Sequence, residues 1–503
     1  MIILVNPRAT SPKNRRFPLS VMAIGAALPE GTSWEIVDGN RPGVDPYQEI
    51  VARIELAAGT HDPVRAVAMT VMPGPQLVRA VPLARRLKER FPSVPIVWGG
   101  YFPSLYPRPV LNAPYVDWIV RGQGEQTFVE LLEVLADRRD PKTVAGLGFR
   151  DGGTPCIGPE RPWLGPDAFP SPPYAKIEVG DYLHPTFLGR LSAVYQVSIG
   201  CPYSCNFCGV ISVFGSREKW EDPVRTEQNL AHLVAHYGVD SLHFYDNNFF
   251  LKEDHAVELC SRMTPLALSW WCEARVDSML RFSARTWKLL KRSGLKMVFF
   301  GAESGSDLVL RKMSKRLTTA QTLEVAAKTR EHGIVPEFSF VFGDPDDPER
   351  DIDVTLGFIR KLKTVNPDME LITHFYTPTP QRRGTYGNVD PLSGTPDTLE
   401  EWTEPAWVGW MTHEDPLLSW LPGRLKARVS DFELVLKSRF PSIHDAKTRN
   451  WGKALARLLA KQRWDTERYD NPRLLRRVRR WARVPDPDHQ AYGHLRPAIS
   501  LGK

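Results

Sequence analysis

Three of the six cysteines in this 503-residue chain lie within eight positions, at Cys201, Cys205 and Cys208. Thiolates are soft ligands, so a C-x3-C-x2-C spacing can bring three of them to one metal site. A structural zinc site needs a fourth cysteine or histidine and usually uses C-x2-C pairs, and the chain has no second pair. Three thiolates on one loop suit a [4Fe–4S] cluster with one open iron, and zinc or inert thiols are the alternatives. The other cysteines lack this spacing and are expected to be structural: Cys156, Cys260 and Cys272.

The cysteine loop follows the first of six predicted strand–helix units. Consecutive parallel units of this kind favour a barrel or partial barrel, whose catalytic groups lie at the carboxyl ends of the strands. Polar residues do follow those strands, so we expect them to gather with the cysteines at one mouth. The predicted strands span residues 193–199, 241–245, 268–273, 296–300, 337–342 and 370–376.

An earlier alternation of strands and helices fills residues 1–150. It predicts a parallel, doubly wound (Rossmann-like) α/β sheet, which binds ligands beyond the carboxyl ends of its strands. Eight prolines between Pro155 and Pro185 indicate an ordered linker over residues 151–190. The barrel is expected over residues 191–390. A helical, tryptophan-rich, basic extension is expected over residues 391–503.

The net charge of +7 is unevenly distributed. Residues 424–503 hold 20 Lys and Arg against 8 Asp and Glu, and the rest of the chain is mildly acidic. Such a tail can bind nucleic acid, anionic lipid or another polyanion, but a solvated helical surface is the favoured interpretation. The chain has no run of 18 apolar residues, so no membrane span is expected. The cysteine usage predicts a reducing compartment, the cytoplasm.

The cysteine loop, with Phe207 before its last cysteine, resembles the radical S-adenosylmethionine (SAM) superfamily. That resemblance implies a partial (β/α)6 barrel, a [4Fe–4S] cluster held by the three cysteines, and SAM chelated to the fourth iron. Reduction would cleave SAM to methionine and a deoxyadenosyl radical. The resemblance also implies SAM-binding roles for residues at the strand ends: Phe207, Asp246, Asn247, Glu273, Arg275, Glu303, Ser304 and Phe342.

The first domain resembles the cobalamin-binding domain of one radical SAM branch, which includes cyclases, hopanoid-tailoring enzymes and C-methyltransferases. Its most specific matches are the Gly-Gly turn at 99–100 and the Gly-x-Gly-Glu helix start at 122–125. In many cobalamin domains the histidine of a D-x-H-x-x-G motif ligates the cobalt from below. This motif is missing from the sequence, so no histidine ligand is expected, and the loop at 70–74 would face the cobalt instead. The implied cobalamin-binding residues are Thr70, Val71, Met72, Gly99, Gly100, Tyr101, Gly122, Gly124 and Glu125.

Three hypotheses of function follow from these resemblances. The first is radical C-methylation of a small molecule through methylcobalamin, with an electron donor such as flavodoxin or ferredoxin. The second is an enzyme with the same cofactors that closes a ring in the substrate or rearranges it, without methyl transfer. The third, a cobalamin- or cluster-dependent sensor that binds nucleic acid, is disfavoured because a sensor needs no cleavable SAM.

Two features bear on the substrate. Arg382 and Arg383 follow the sixth predicted strand and can hold a carboxylate or phosphate group, although a solvated loop is an equal alternative. The tryptophan-rich region 402–420 can cap a hydrophobic substrate, but packing under the barrel is the commoner fate of tryptophan.

Overall fold

The computed structural model describes residues 1–10, 14–380, 384–414, 416–442 and 451–482. Arg382 and Arg383, proposed above to contact the substrate, lie outside these ranges, as does the end of the basic tail. In the described part, no helix has the length and apolar character needed to cross a membrane.

The first sheet has seven strands in the order β2-β1-β3-β4-β5-β6-β7, and the first five are parallel. Its strands alternate between two apolar layers, because successive side chains of a strand point to opposite faces. Ile3 and Val5 join one layer, while Ile2 and Leu4 join the other, so helices cover both faces. The strands are β1 Ile2–Asn6, β2 Trp34–Asp38, β3 Ala66–Thr70, β4 Ile96–Gly99, β5 Trp118–Val120, β6 Leu147–Asp151 and β7 Thr154–Ile157. The helices are α1 Leu19–Ala26, α2 Pro46–Ala58, α3 Pro75–Arg90, α4 Tyr101–Leu105, α5 Pro107–Asn112 and α6 Glu125–Val134.

The last two strands of this sheet are antiparallel, a departure from the all-parallel sheet of the sequence interpretation. Gly152 and Gly153 form the turn between β6 and β7, and both have positive φ angles, of 56° and 87°. Glycine supplies such angles at no steric cost, which is why a Gly-Gly pair marks tight hairpins. The sheet therefore continues to Ile157, past residue 150.

The segment between the sheet and the barrel is ordered and joins the two. Tyr182 donates a hydrogen bond from its hydroxyl to Asp38 Oδ2 at the end of β2, at 2.8 Å. Phe17 packs edge-on against Tyr174 and Tyr182, with ring centroids 5.5 and 5.6 Å away. All three aromatic rings are buried in the core of the barrel region, so this segment fixes one side of the domain contact.

The second sheet consists of six parallel strands in the chain order β8-β11-β12-β13-β14-β15, which confirms the expected partial barrel. A separate antiparallel pair, β9 and β10, carries the cysteine loop between its strands. The strands are β8 Ser192–Tyr195, β9 Ser198–Cys201, β10 Arg217–Trp220, β11 Ser241–Phe244, β12 Ser269–Ala274, β13 Leu295–Glu303, β14 Val335–Phe342 and β15 Glu370–Phe375. The helices are α7 Gly209–Phe214, α8 Pro223–Tyr237, α9 Glu253–Met263, α10 Val276–Leu280, α11 Ala284–Arg292, α12 Asp307–Lys312, α13 Thr319–Glu331 and α14 Pro348–Val365.

The C-terminal region is helical and divides between the two sheets. Trp402, Trp410 and Met411 are buried in the apolar core of the first sheet, together with Phe102 and Tyr106. The longer helix α17 instead packs against α14 of the barrel and against α18. Trp402, Trp407 and Trp410 of the tryptophan-rich region thus pack on the first domain, whereas Trp420 packs against the barrel core. The helices are α15 Leu399–Trp402, α16 Pro405–Met411, α17 Gly423–Arg439, α18 Trp451–Asp465 and α19 Arg473–Trp481.

Candidate functional site

The three clustered cysteines lie on one loop between β9 and α7. Cys201 is the last residue of β9, and Cys208 directly precedes α7. Cys205 is the most buried of the three, with 7% of its surface exposed. The loop is anchored from below, because Asn206 donates from its side chain to the Lys312 carbonyl at 3.0 Å.

Burial keeps the thiols of Cys201 and Cys208 protonated while they carry no metal. It raises the pKa of Cys208 to about 12, with the negative charge of Cys205 adding to the shift. Burial also raises the pKa of Cys201, against a hydrogen bond from the Tyr203 backbone. A bound metal centre reverses this preference, since thiolates are its ligands. Among the described residues, no group of three or more His, Cys, Asp and Glu side chains converges on a single metal ion.

Two buried cations flank Cys205. Arg275 donates from Nη1 to the sulfur of Cys205 at 3.5 Å and stacks on the Tyr203 ring at 3.7 Å. Lys315 forms an ion pair with Glu303 at 2.5 Å, and both side chains are 8% exposed. Burial opposes the charge of Arg275, but Asp277 and Cys205 leave its pKa raised. The cysteine loop therefore lies in an electropositive environment, which stabilises the thiolate form of its cysteines.

The turn after β11 presents unpaired polar atoms. Asp246 is fully buried, and its Oδ1 accepts hydrogen bonds from the Val197 backbone and from the Ser198 backbone and hydroxyl. Its Oδ2 has no partner among the described residues, and neither does Nδ2 of the buried Asn248. Burial raises the pKa of Asp246 well above its usual range. An unpaired buried acceptor and an unpaired buried donor on the same turn fit the ammonium and carboxylate groups of an amino acid such as the methionine part of SAM.

The end of β13 holds Glu303 in a left-handed conformation, with φ of +63°. Its carboxylate lies over Gly301, where any side chain would collide with it and with Lys315. The next residue, Ser304, donates from its hydroxyl to Asp351 at 3.2 Å. Burial raises the pKa of Asp351 to about 6, against hydrogen bonds from backbone N–H groups. The predicted Glu-Ser element is thus held rigidly at the mouth of the barrel.

Not every residue predicted to bind SAM reaches this mouth. Glu273 is the last residue but one of β12, at the mouth end of the strand, and its carbonyl accepts from the Phe249 backbone at 2.8 Å. Phe207 contacts a small apolar group under the cysteine loop that includes Val341. Phe342 is fully buried in the core between the sheet and its helices, because alternation along β14 turns its side chain outward. The neighbouring Val341 is the residue that faces inward, so Phe342 does not join the group.

A cleft of about 690 Å3 separates the first sheet from the barrel. Eight of the nine residues predicted to bind cobalamin line it, and the opposite wall comes from the barrel. The exception is Val71, whose side chain is fully buried in the core of the first sheet. The barrel contributes Tyr195, Gln196, Ile199, Val213, Phe214, Tyr245 and Asn247 to the lining.

Glycines shape the first-sheet wall of this cleft. Gly100 has φ of +96°, and a Cβ there would lie 3.0 Å from backbone atoms of Val71. At Gly124 a Cβ would lie 2.9 Å from the Ile24 side chain. At these glycines the wall presents only backbone, which lets a large ring approach closely there. Met72 lies on the cleft with 42% of its surface exposed, and these features fit the corrin ring of cobalamin.

Sequence reasoning missed the buried charged residues that support the site. Lys315 lies beyond α12, and Glu337 lies in β14 with its carboxylate accepting from the Trp271 indole at 3.2 Å. Burial raises the pKa of Glu337 to about 8. Lys315 carries no local signal, since a charged residue just after a helix is normally solvated. A Glu at an inward position of the apolar strand β14 is the one hint available.

Comparisons with known proteins agree with the fold and with the loop. The family model described as "B12 binding domain" matches residues 7–132, and the model described as "Radical SAM superfamily" matches residues 195–359. Fold and cysteine loop thus define a cluster-binding α/β protein with two ligand-binding sheets. Residues 195–359 thus match a radical SAM domain, and residues 7–132 match a B12-binding domain ahead of it. These domains imply a [4Fe–4S] cluster, SAM and cobalamin as cofactors.

Three relatives illustrate the likeness. An uncharacterized methyltransferase of Pyrococcus horikoshii is 30% identical over 284 residues, covering 56% of this chain and 60% of that protein. The anaerobic magnesium-protoporphyrin IX monomethyl ester cyclase of Synechocystis is 26% identical, covering 58% of each chain. The solved structure of the radical SAM methyltransferase TsrM from Kitasatospora setae aligns with a TM-score of 0.58 at 19% identity, over 75% of this chain and 72% of that one. The TsrM likeness shows the fold, and the chain spans about 60% of the length of the two curated relatives named above.

Proposed function

We propose that this protein is a cobalamin-dependent radical SAM methyltransferase that adds a methyl group to an unactivated carbon of a small molecule. The observation that carries this proposal is the cleft of about 690 Å3 between the two sheets. Residues that resemble a cobalamin site form one of its walls, and the barrel that bears the cysteine loop forms the other. A methyl donor and a radical source need such a shared cleft, because the same substrate carbon must lie within reach of both.

The cofactors would supply a hydrogen-abstracting radical from SAM and a transferable methyl group from cobalamin. Cys201, Cys205 and Cys208 would hold the cluster. Asp246 Oδ2 would accept from the SAM ammonium group, with Asn247 at the edge of the cleft. Tyr101 lies between the two cofactor regions, edge-on to Phe214 with ring centroids 6.1 Å apart. These rings narrow the passage between the regions and would keep water from the radical.

The remaining predicted residues have supporting roles in this proposal. Glu303 and Ser304 would contact SAM from the end of β13, and Glu273 would do so from β12. The glycine turns at 99–100 and 122–124 would accept the corrin ring and its phosphate, with Glu125 at the start of α6. Residues 1–157 would form the cobalamin domain and 192–380 the radical barrel. An electron donor such as flavodoxin or ferredoxin would reduce the cluster in the cytoplasm.

Methyl-deuterated SAM tests this proposal. The anaerobically purified protein, reconstituted with iron, sulfide and cobalamin, would be given labelled SAM, a reductant and a small-molecule extract of the host cells. We expect labelled methylcobalamin, deoxyadenosine and a labelled product in the mass spectrum. Deoxyadenosine without label in any product would instead support the cyclase hypothesis. Absence of deoxyadenosine from a fully loaded protein would refute a radical SAM activity.

A further inference from the structure

We propose that Arg275 sets the reduction potential of the cluster by donating a hydrogen bond to the sulfur of Cys205. This inference rests on the proposed function only in requiring a [4Fe–4S] cluster on the three cysteines. Arg275 follows β12, and its Nη1 lies 3.5 Å from the Cys205 sulfur. Arg275 is 5% exposed and Cys205 is 7% exposed, so water does not compete for this contact.

The arginine is held in one orientation by contacts on its other sides. Its Nε donates to Asp277 at 2.9 Å, and its Nη2 donates to the Lys315 carbonyl at 2.6 Å. Its guanidinium plane stacks on Tyr203, which belongs to the cysteine loop itself. A guanidinium fixed on three sides offers Nη1 to the sulfur without further loss of side-chain entropy. The contact is therefore built into the fold of the loop and the third barrel strand.

The direction of the effect follows from where the electron goes. An external donor adds one electron to the cluster, and negative charge on the cysteine sulfurs increases. Hydrogen bonds to those sulfurs stabilise the reduced form and raise the potential, together with the net charge and solvent exposure of the cluster. The low polarity around Arg275 and Cys205 strengthens the hydrogen bond. Loss of the donor should therefore make the cluster harder to reduce.

Arg281 provides a matched control for Arg275. It also contacts Asp277, at 3.8 Å, and its Nη2 lies 3.5 Å from the Tyr203 hydroxyl. Its side chain is 57% exposed, and Cys205 is not among its hydrogen-bond partners in the described part of the chain. Arg281→Gln thus disturbs the same carboxylate and the same ring while sparing the sulfur.

The experiment is a redox titration, in the absence of SAM, of the protein loaded with its [4Fe–4S] cluster. The electron paramagnetic resonance signal of the reduced cluster is the readout at each potential. For Arg275→Gln we expect the equilibrium constant of reduction to fall about tenfold, which is about 59 mV for a one-electron couple. For Arg281→Gln we expect no shift. Arg275→Lys keeps the charge but not the planar donor, so a smaller shift in the same direction is expected.

Equal potentials in the wild type and Arg275→Gln would overturn the inference. A weaker binding of SAM to the oxidised protein, with an unchanged potential, would instead assign Arg275 to the SAM carboxylate. If Arg275→Gln fails to take up a cluster, Arg275→Lys and Asp277→Asn decide the matter, because both weaken the same hydrogen bond. Failure of the wild type itself to hold a [4Fe–4S] cluster would refute the proposed function instead.

Discussion

The first-sheet wall of the cleft and the mouth of the barrel are built from different chemistry. The first-sheet wall is mostly backbone and apolar surface, shaped by glycines such as Gly100 and Gly124. The barrel mouth instead concentrates buried charged groups, of which Arg275, Lys315 and Glu303 are examples. The difference teaches that the first-sheet wall selects its ligand by shape, whereas the barrel mouth selects its ligand by charge. Substitutions should therefore act differently on the two sides.

The largest effect is expected on the barrel side, from Cys205→Ala. A cluster with two protein ligands is not retained, so deoxyadenosine formation from SAM should be lost completely. Chromatographic assay of deoxyadenosine and the iron content of the purified protein measure the result. Cys156→Ala, which removes a half-buried thiol far from the loop, should keep both at the wild-type level. Deoxyadenosine formation by the Cys205 variant would remove the basis for the cluster assignment.

The next effect concerns the support behind the first-sheet wall. Trp402 is fully buried, with its ring 5.4 Å from Phe102 and 4.7 Å from Tyr106. Trp402→Ala should lower the free energy of unfolding by about 3 to 5 kcal/mol, because a large cavity remains. Trp451→Ala removes a ring that is 91% exposed and should change stability by less than about 0.5 kcal/mol. Thermal unfolding followed by circular dichroism compares the two, and similar losses would contradict the packing described.

A smaller effect is expected from closing the glycine wall itself. Gly100→Ala adds a methyl group 3.0 Å from the Val71 backbone and strains a positive φ. We expect cobalamin binding to weaken about tenfold, which corresponds to about 1.4 kcal/mol. Gly31→Ala carries similar strain, with φ of +81° and open space around it, and should bind cobalamin normally. The absorbance of the corrin that stays bound after gel filtration measures cobalamin binding by both variants. Equal binding by Gly100→Ala and Gly31→Ala would contradict the view that this wall selects its ligand by shape.

The smallest effect is a pH dependence caused by Glu337 in the barrel. Its pKa is raised from 4.5 to about 8 by burial, so the folded state keeps a proton that the unfolded state releases. Stability from this group is therefore complete below pH 4.5 and is lost as the pH rises toward 8. Between pH 6.5 and 7.5 the wild type should lose about 1 kcal/mol relative to Glu337→Gln. Parallel urea denaturation curves at the two pH values test it, and identical pH dependence in both proteins would refute it.

Local sequence patterns were sufficient to predict much of the fold and part of the candidate site. Cysteine spacing marked the loop at 201–208, and the glycine pairs marked a wall of the cleft, because both signals depend on neighbouring residues. The alternation of strand and helix patterns along the chain also predicted both sheets. Phe342 illustrates the limit, since the side of a strand that faces the barrel interior depends on a register that a short apolar run does not reveal.

Long-range partners could not be read in this way. Nothing near Lys315 in the sequence indicates that it is buried against Glu303, since the pairing depends on how β13 ends. The partners of Arg275 likewise come from three separate segments. The tryptophan-rich region was expected near the barrel or a substrate, but Trp402 and Trp410 bury themselves in the first domain. Packing between distant segments decides which residues become buried partners, and local sequence patterns do not reveal that packing.

The return of α15 and α16 to the first domain has a consequence for how the protein is made. The ribosome releases the first sheet early, yet the residues that cover Phe102 and Tyr106 are synthesised only after the whole barrel. During that interval an aromatic surface stays uncovered on the nascent chain. A ribosome that stalls, or a message that ends before Leu399, leaves this surface exposed for chaperones or for aggregation. The chain thus delays completion of its first domain until the barrel has also been synthesised.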